Sequence, residues 1–298
     1  MNTYHTFCEH YDFLPFPPTE NTLVLYATHI ASYSSHSNVK LHMAAIKHFA
    51  TVRGSYIDFR GFHRLYLVTR GIKRSHGKRF SLPKRSPITP DLLHIIHQNL
   101  FNSSKLYSDK LMIWAAITMA YFGFLRVSEY TSSHKTKFDP LSTLLFRDVS
   151  VTDDTAQIEI KASKTDPFRQ GITIRLAAND TMLCPVHSLL QYLSSRPTFQ
   201  GPFFVYRNGT FLTRRDLNQI LTQYTGGIAN TTSHSLRIGA ATTAAAMGCP
   251  KWLIMSMGRW ASDCFRRYIR IPHHTIINTS HVLANCTNPI TDTFNPYD

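Results

Sequence analysis

Acidic residues are scarce in this 298-residue chain: 18 Asp and Glu stand against 32 Lys and Arg, a formal charge of +14. An imbalance that large favours a polyanionic partner, nucleic acid well before an anionic membrane. Cysteine is sparse too, with five residues at 8, 184, 249, 264 and 286, an odd number with no Cys-x-x-Cys pair. That pattern fits thiols in a reducing compartment and not a disulfide framework. No run of 18 apolar residues occurs, so no membrane span is predicted. The opening stretch MNTYHTFCEHYDF lacks the basic region and apolar segment of a secretory signal. The expected location is therefore intracellular, and nuclear if the source is eukaryotic. Also missing are GxGxxG, a Walker lysine loop, GxSxG, HExxH and any Cys/His cluster. The 16 histidines are dispersed, and the pairs His94/His97 and His273/His274 read as surface or capping residues. No metal and no cofactor is expected.

What is present is a mostly helical pattern. The 43% hydrophobic content suffices for a sizeable core, divided between two domains. Residues 18 to 80 read as helical, and Val39, Met43, Ile46 and Ala50 fall on one helix stripe. From Arg60 to Arg85 the chain carries nine basic residues (Arg60, Arg64, Arg70, Lys73, Arg74, Lys78, Arg79, Lys84 and Arg85) and no Asp or Glu. Such a run is either a solvated helix face or a surface that tracks phosphates, and the lack of interspersed acid favours phosphate. The proline-rich SLPKRSPITP then reads as a linker, ending in a helix start at Thr89, Pro90 and Asp91. Beyond it, helices are predicted over 90–100, 108–122, 185–195, 213–224, 235–247 and 262–270. Strand-like runs lie in STLLFRDVSV, AQIEIKA and GITIRLA, with Ile158, Ile160, Ile172, Ile174 and Leu176 expected on one face.

Four separated pieces share one chemistry. GFLRVSEY sets Arg126 after an apolar helix with Glu129 three residues on. ASKTDPF sets Lys164 in a hairpin connection, HSLR supplies His234 and Arg237, and GRWASDCFRRYIR supplies Arg259, Trp260 and Tyr268. Singly each has a bland explanation: a capping Arg, a solvated Lys, a core Tyr. Together they offer planar forks for phosphate oxygens, proton donors and a phenolic nucleophile, with no carboxylate pair to hold metals.

In order and type this set resembles that of the tyrosine recombinases of the phage integrase type. The strings WAAITMAYFGFLRVSEY, IKASKTDPFRQGITIRL, CPVHSLLQYLSSR, HSLRIGAATTAAAMG and GRWASDCFRRYIR are similar to those of eukaryotic Crypton-type mobile-element recombinases. The resemblance covers about residues 20 to 275 and is strongest in the second half. It implies a mostly α (α+β) protein: a helical, SAM-like core DNA-binding domain over 1–82, a linker over 83–90, a catalytic domain with a small antiparallel sheet over 91–285, and a tail over 286–298. It implies DNA integration or recombination through a 3′-phosphotyrosyl intermediate, without metal or ATP. The partners implied are double-stranded DNA and further copies of the chain, a dimer per site and a tetramer on paired sites. Arg126 and Arg237 would grip the scissile phosphate, Tyr268 attack it, Lys164 protonate the leaving oxygen, His234 assist, and Glu129 support Arg126 or its neighbours. One departure stands out. The family's His or Trp follows a Gly, nine residues before the Tyr; here Gly258 lies ten before Tyr268, Arg259 nine and Trp260 eight. Trp260 through a shifted turn, or Arg259 in its place, would fill that position. A type IB topoisomerase-like enzyme and a non-catalytic DNA-binding descendant of a mobile element are the alternative functions.

Overall fold

A computed structural model of the chain describes residues 2–76, 83–163, 166, 168–197, 200–270, 276–278, 280, 281 and 284. The chain divides into two compact units, Met1–Pro83 and Lys84–Asp298.

The first unit is helical: α1 (Asn2–His10), α2 (Glu20–Tyr33), α3 (His36–Val52), a 3₁₀ turn (Phe59–Gly61) and α4 (His63–His76). Thr19 caps α2 and Ser35 caps α3, each hydroxyl accepting a main-chain N–H three residues on. The predicted stripe Val39, Met43, Ile46 and Ala50 is buried. Glu20 fastens α2 to α4 by accepting the otherwise unpaired amides of Arg64 at 2.7 Å and Leu65 at 3.2 Å. Helix α1 was not expected. Its buried face is Tyr4, Phe7 and Cys8, and Tyr4 meets Tyr26 edge-on with ring centroids 4.9 Å apart. Aromatic packing, not aliphatic periodicity, holds it in place.

The second unit contains α5 (Pro90–Phe101), α6 (Tyr107–Phe122), α7 (Val127–Tyr130), α8 (Pro185–Ser195), α9 (Arg214–Tyr224), α10 (Ser233–Ala246) and α11 (Lys251–Gly258). A three-stranded antiparallel sheet of β1 (Val149–Val151), β2 (Thr155–Ile160) and β3 (Ile172–Ala177) runs in that order. The expected mostly helical fold with a small antiparallel sheet is the fold observed. Helix α6 is the core: its residues from Leu111 to Tyr121 are all buried, and it packs on α5, α8 and α10. Thr213 and Asp216 form the reciprocal cap of α9, with Thr213 Oγ1 donating to the carboxylate at 2.7 Å.

Three sequence expectations need correction. Ile172 does not share the buried face; it is exposed at the start of β3, and only Ile174 and Leu176 turn inward from that strand. Only Val149–Val151 of STLLFRDVSV is strand, because Phe146–Asp148 closes a 3₁₀ turn. The helix predicted over 262–270 is a single 3₁₀ turn, Asp263–Arg267, which ends before Tyr268.

The small residues of α10 admit a close crossing. Ile88 donates its amide to Ser235 O at 3.0 Å, and a Cβ on Gly239 would stand 1.7 Å from Ile88 O. Only glycine permits that approach. The chain therefore lies directly across the helix that carries His234 and Arg237.

Candidate active site

Arg126 is the N-cap residue of α7, and Glu129 is the third residue of that helix. Glu129 is 2% exposed, and its carboxylate accepts four hydrogen bonds. Oε2 receives the Arg126 main-chain N–H and Arg259 Nη2, both at 2.9 Å. Oε1 receives Arg126 Nη1 at 3.0 Å and Ser163 Oγ at 3.1 Å. Ser163 in turn accepts from Arg126 Nη1 at 3.0 Å, which ties the end of the β2–β3 region to the same carboxylate. Charge-assisted bonds of this kind fix both guanidinium planes.

Arg237, on the first turns of α10, is wholly buried. Its Nη1 donates to Phe124 O and its Nη2 to Gly258 O. Its guanidinium lies 4.5 Å from the centre of the Trp260 ring. Burial, reinforced by Arg126 and Arg259, lowers its pKa to about 10, so it remains charged at neutral pH. Phe124 (φ 49°) and Arg259 (φ 54°) are non-glycine residues in the left-handed region. Strain of this sort persists where surrounding contacts over-determine it. Here Phe124 O accepts from both Arg237 and, at 3.1 Å, Arg259.

Both candidates for the position before Tyr268 belong to the site, with different tasks. Arg259 turns to Glu129 and to the carbonyls of Gly123 and Phe124. Trp260 packs between Arg237 and Tyr268, its ring centroid 4.8 Å from the Tyr268 ring. Gly258 makes room for it, since a Cβ there would stand 1.8 Å from the indole. Tyr268 follows the 3₁₀ turn, with its ring 5.2 Å from His234 and 5.6 Å from the Arg237 guanidinium carbon. Burial above all, then the charges of Arg85, Arg237, Arg126 and Arg214, lowers the His234 pKa to about 4. His234 is thus neutral at pH 7, with a ring nitrogen able to accept a hydrogen bond.

Two guanidiniums therefore share one carboxylate and a third, Arg237, is held by main-chain carbonyls, leaving a positive excess in a water-poor place. Three buried N–H groups, Arg237 Nε, Arg259 Nε and Trp260 Nε1, have no hydrogen-bond partner. Orphaned donors beside excess positive charge suit an oxyanion.

Arg126, Glu129, His234, Arg237, Arg259, Trp260 and Tyr268 are thus brought together. Lys164 lies outside the described residues, as do Lys78, Arg79, His273 and His274. Of the remaining basic residues, Arg60 is paired with Asp58 at 3.0 Å and Arg70 bonds Tyr66 Oη at 3.1 Å. Arg64, Lys73, Arg74, Lys84 and Arg85 are exposed. The sequence reading missed Ser163, a common residue with no motif of its own. It also missed Lys40 and Lys47 of α3, which join Arg70 and Lys73 of α4 around a 520 Å³ groove floored by Met43 and Leu65. Their helical spacing on α3 was the available signal. His97 stacks on Phe101 at 4.3 Å, and no cluster of metal-ligating side chains occurs among the described residues. No helix among them is long and apolar enough to cross a membrane.

No family model matches the chain, and no curated protein matches it. Solved structures do. The XerH site-specific recombinase in a post-cleavage complex with palindromic difH substrate superposes with a TM-score of 0.57 at 14% identity, over 90% of this chain and 70% of that one. The Tn1549 transposon integrase in complex with circular intermediate DNA gives 0.57 at 12% identity, over 90% and 86%. A lambda integrase dimer bound to a COC′ core site gives 0.56 at 15% identity, over 90% and 87%. The chain thus has the fold of tyrosine recombinases and integrases.

Proposed function

We propose that the chain is a DNA strand transferase that cleaves and rejoins DNA through Tyr268. The observation that carries this reading is the placement of the Tyr268 ring among His234, Trp260 and Arg237, beside two further guanidiniums, Arg126 and Arg259, held on one buried carboxylate. In it, Arg126 and Arg237 take the non-bridging oxygens of a scissile phosphate and stabilise the charge that grows on them in the transition state. The Tyr268 oxygen attacks phosphorus, the bond to the 5′-oxygen breaks, and a 3′-phosphotyrosyl ester and a free 5′-hydroxyl result. His234, neutral beforehand, bonds a phosphate oxygen or, once the bound phosphate has raised its basicity, accepts the phenolic proton. Lys164 supplies the proton to the leaving oxygen. Attack by a 5′-hydroxyl on the ester reverses the chemistry, so neither ATP nor metal is consumed.

The organisation follows the same reading. Residues 1–82 serve as the core DNA-binding domain, 83–90 as the linker, 91–285 as the catalytic domain and 286–298 as a tail, and the region 272–298 docks on a neighbouring copy. Two copies bind one site, and four pair two sites. The Crypton-like strings favour a mobile element as the source of such an enzyme, with DNA recombination or integration as its reaction.

Covalent capture tests the proposal. Purified protein is incubated with a fragmented DNA library and a chelator, denatured, and the attached DNA sequenced beside Tyr268→Phe. Adducts at recurring sequences that vanish in the variant are expected. Adducts at scattered positions would replace the recombinase by a topoisomerase-like enzyme. DNA binding without adduct at any site would leave a non-catalytic DNA-binding protein.

A further inference from the structure

Tyr268 caps a 3₁₀ turn that ends at Arg267, and residues 268–270 belong to no helix or strand. A nucleophile on such a segment needs an anchor, and one hydroxyl supplies it. Thr242, buried on α10, donates its Oγ1–H to Tyr268 O at 3.1 Å. Thr242 Oγ1 in turn accepts the Arg270 main-chain N–H at 3.1 Å. Both bonds hold main chain, so they fix the path of residues 268–270 whatever the side chains do.

The position of Thr242 on α10 gives the contact its meaning. His234, Ile238 and Thr242 recur every four residues and share one stripe of the helix. That stripe meets the nucleophile segment twice: at the His234 ring, 5.2 Å from the phenol ring, and at Thr242, on the backbone. Arg237 issues from the same helix. The phosphate cradle and the tyrosine are thus referenced to a single rigid body, and the neighbouring Thr243 is itself held by Tyr121 Oη at 2.9 Å from the core helix α6.

We propose that Thr242 is a positioning residue that pins Tyr268 to the helix that carries His234 and Arg237. The inference rests on the strand-transfer reading for its catalytic consequence, but the pin itself is a property of the DNA-free protein. Placement within about 1 Å is worth on the order of 100-fold in rate.

The experiment has two arms. Thr242→Val keeps the side-chain shape and removes both hydrogen bonds; Thr242→Ser keeps the hydroxyl. In the first arm, hydrogen exchange of the Arg270 amide is measured on the full chain without DNA. Exchange is expected to quicken at least tenfold in Thr242→Val, to stay near the parent rate in Thr242→Ser, and to leave the α6 amides unchanged. In the second arm, adduct formation is followed at saturating DNA. Thr242→Val is expected to lower the rate constant 10- to 100-fold with DNA affinity unchanged, and Thr242→Ser to recover most of it. Unchanged Arg270 exchange in Thr242→Val overturns the pin. Full adduct formation by Thr242→Val at the parent rate overturns the positioning role. Altered exchange in a protein that forms no adduct at all would leave the pin standing and remove the strand-transfer reading instead.

Discussion

The two units hold their positive charge in opposite ways. On α3 and α4 of the first unit, Lys40, Arg70, Lys73 and Arg74 stand in solvent, and no carboxylate lines the groove beside them. In the second unit Arg126, Arg237 and Arg259 are drawn inward, oriented by Glu129 and by the carbonyls of Gly123, Phe124 and Gly258. Exposed cations are screened by salt, act nearly independently and cost little to keep. Buried ones lose hydration and are retained in fixed orientation only by specific partners. The first arrangement suits attraction to a long polyanion at many points, the second a grip on a single group in one geometry.

The largest effect that would break this contrast is expected at Glu129. Glu129→Gln leaves the guanidiniums of Arg126 and Arg259 without their carboxylate, at a cost of about 3–5 kcal/mol in unfolding free energy. Denaturant unfolding measures it; an unchanged midpoint would mean that the cluster is not held by charge at all. Replacing an exposed cation of α4 should shift the same midpoint by no more than about 0.5 kcal/mol.

Acid should separate the units next. The folded-state pKa of His234 lies near 4, below its usual 6.5, so the unfolded chain binds a proton more readily. The stability that neutral His234 preserves is complete above about pH 6.5 and is lost as pH falls toward 4. Unfolding followed across that window should show His234→Gln flattening the acid slope. An anion in the cradle should raise the imidazole pKa, so oxyanion or DNA binding should take up protons. Heats of binding that do not depend on the ionisation enthalpy of the buffer would contradict this.

The smallest effect expected is the removal of one exposed cation. Lys73→Ala should weaken DNA binding on all sequences alike and lower the slope of log affinity against log salt by about 1. Arg237→Ala should instead abolish adduct formation while leaving that slope nearly intact. Equal slopes for Lys73→Ala and the parent protein would take Lys73 out of the phosphate contacts.

Much of this division was legible in the sequence, for reasons that can be named. The α3 stripe and the cap of α9 follow from spacing, because regular helices repeat every 3.6 residues. The acid-free run from 60 to 85 marked exposed charge, but Lys40 and Lys47 escaped because their partners on α4 are distant in sequence. At the site, residue types and order were visible, and geometry was not. The turn from Gly258 to Tyr268 has no period: a left-handed Arg259, a tryptophan packed over a glycine and a 3₁₀ turn replace the expected helix. Nor could spacing show that Arg237 is held by carbonyls, or that Ser163 and Thr242 bond where they do. Such contacts depend on which loops meet.

The shared carboxylate of Glu129 has a consequence for how this protein can change. Arg126, Ser163 and Arg259 all bond to it, and no one of them can be replaced without disturbing the bonding of the others. Substitutions at these four positions should be strongly epistatic, tolerated in sets and not singly. Divergence in such a chain would then proceed freely on the exposed faces of α3 and α4 while these four residues stay locked together.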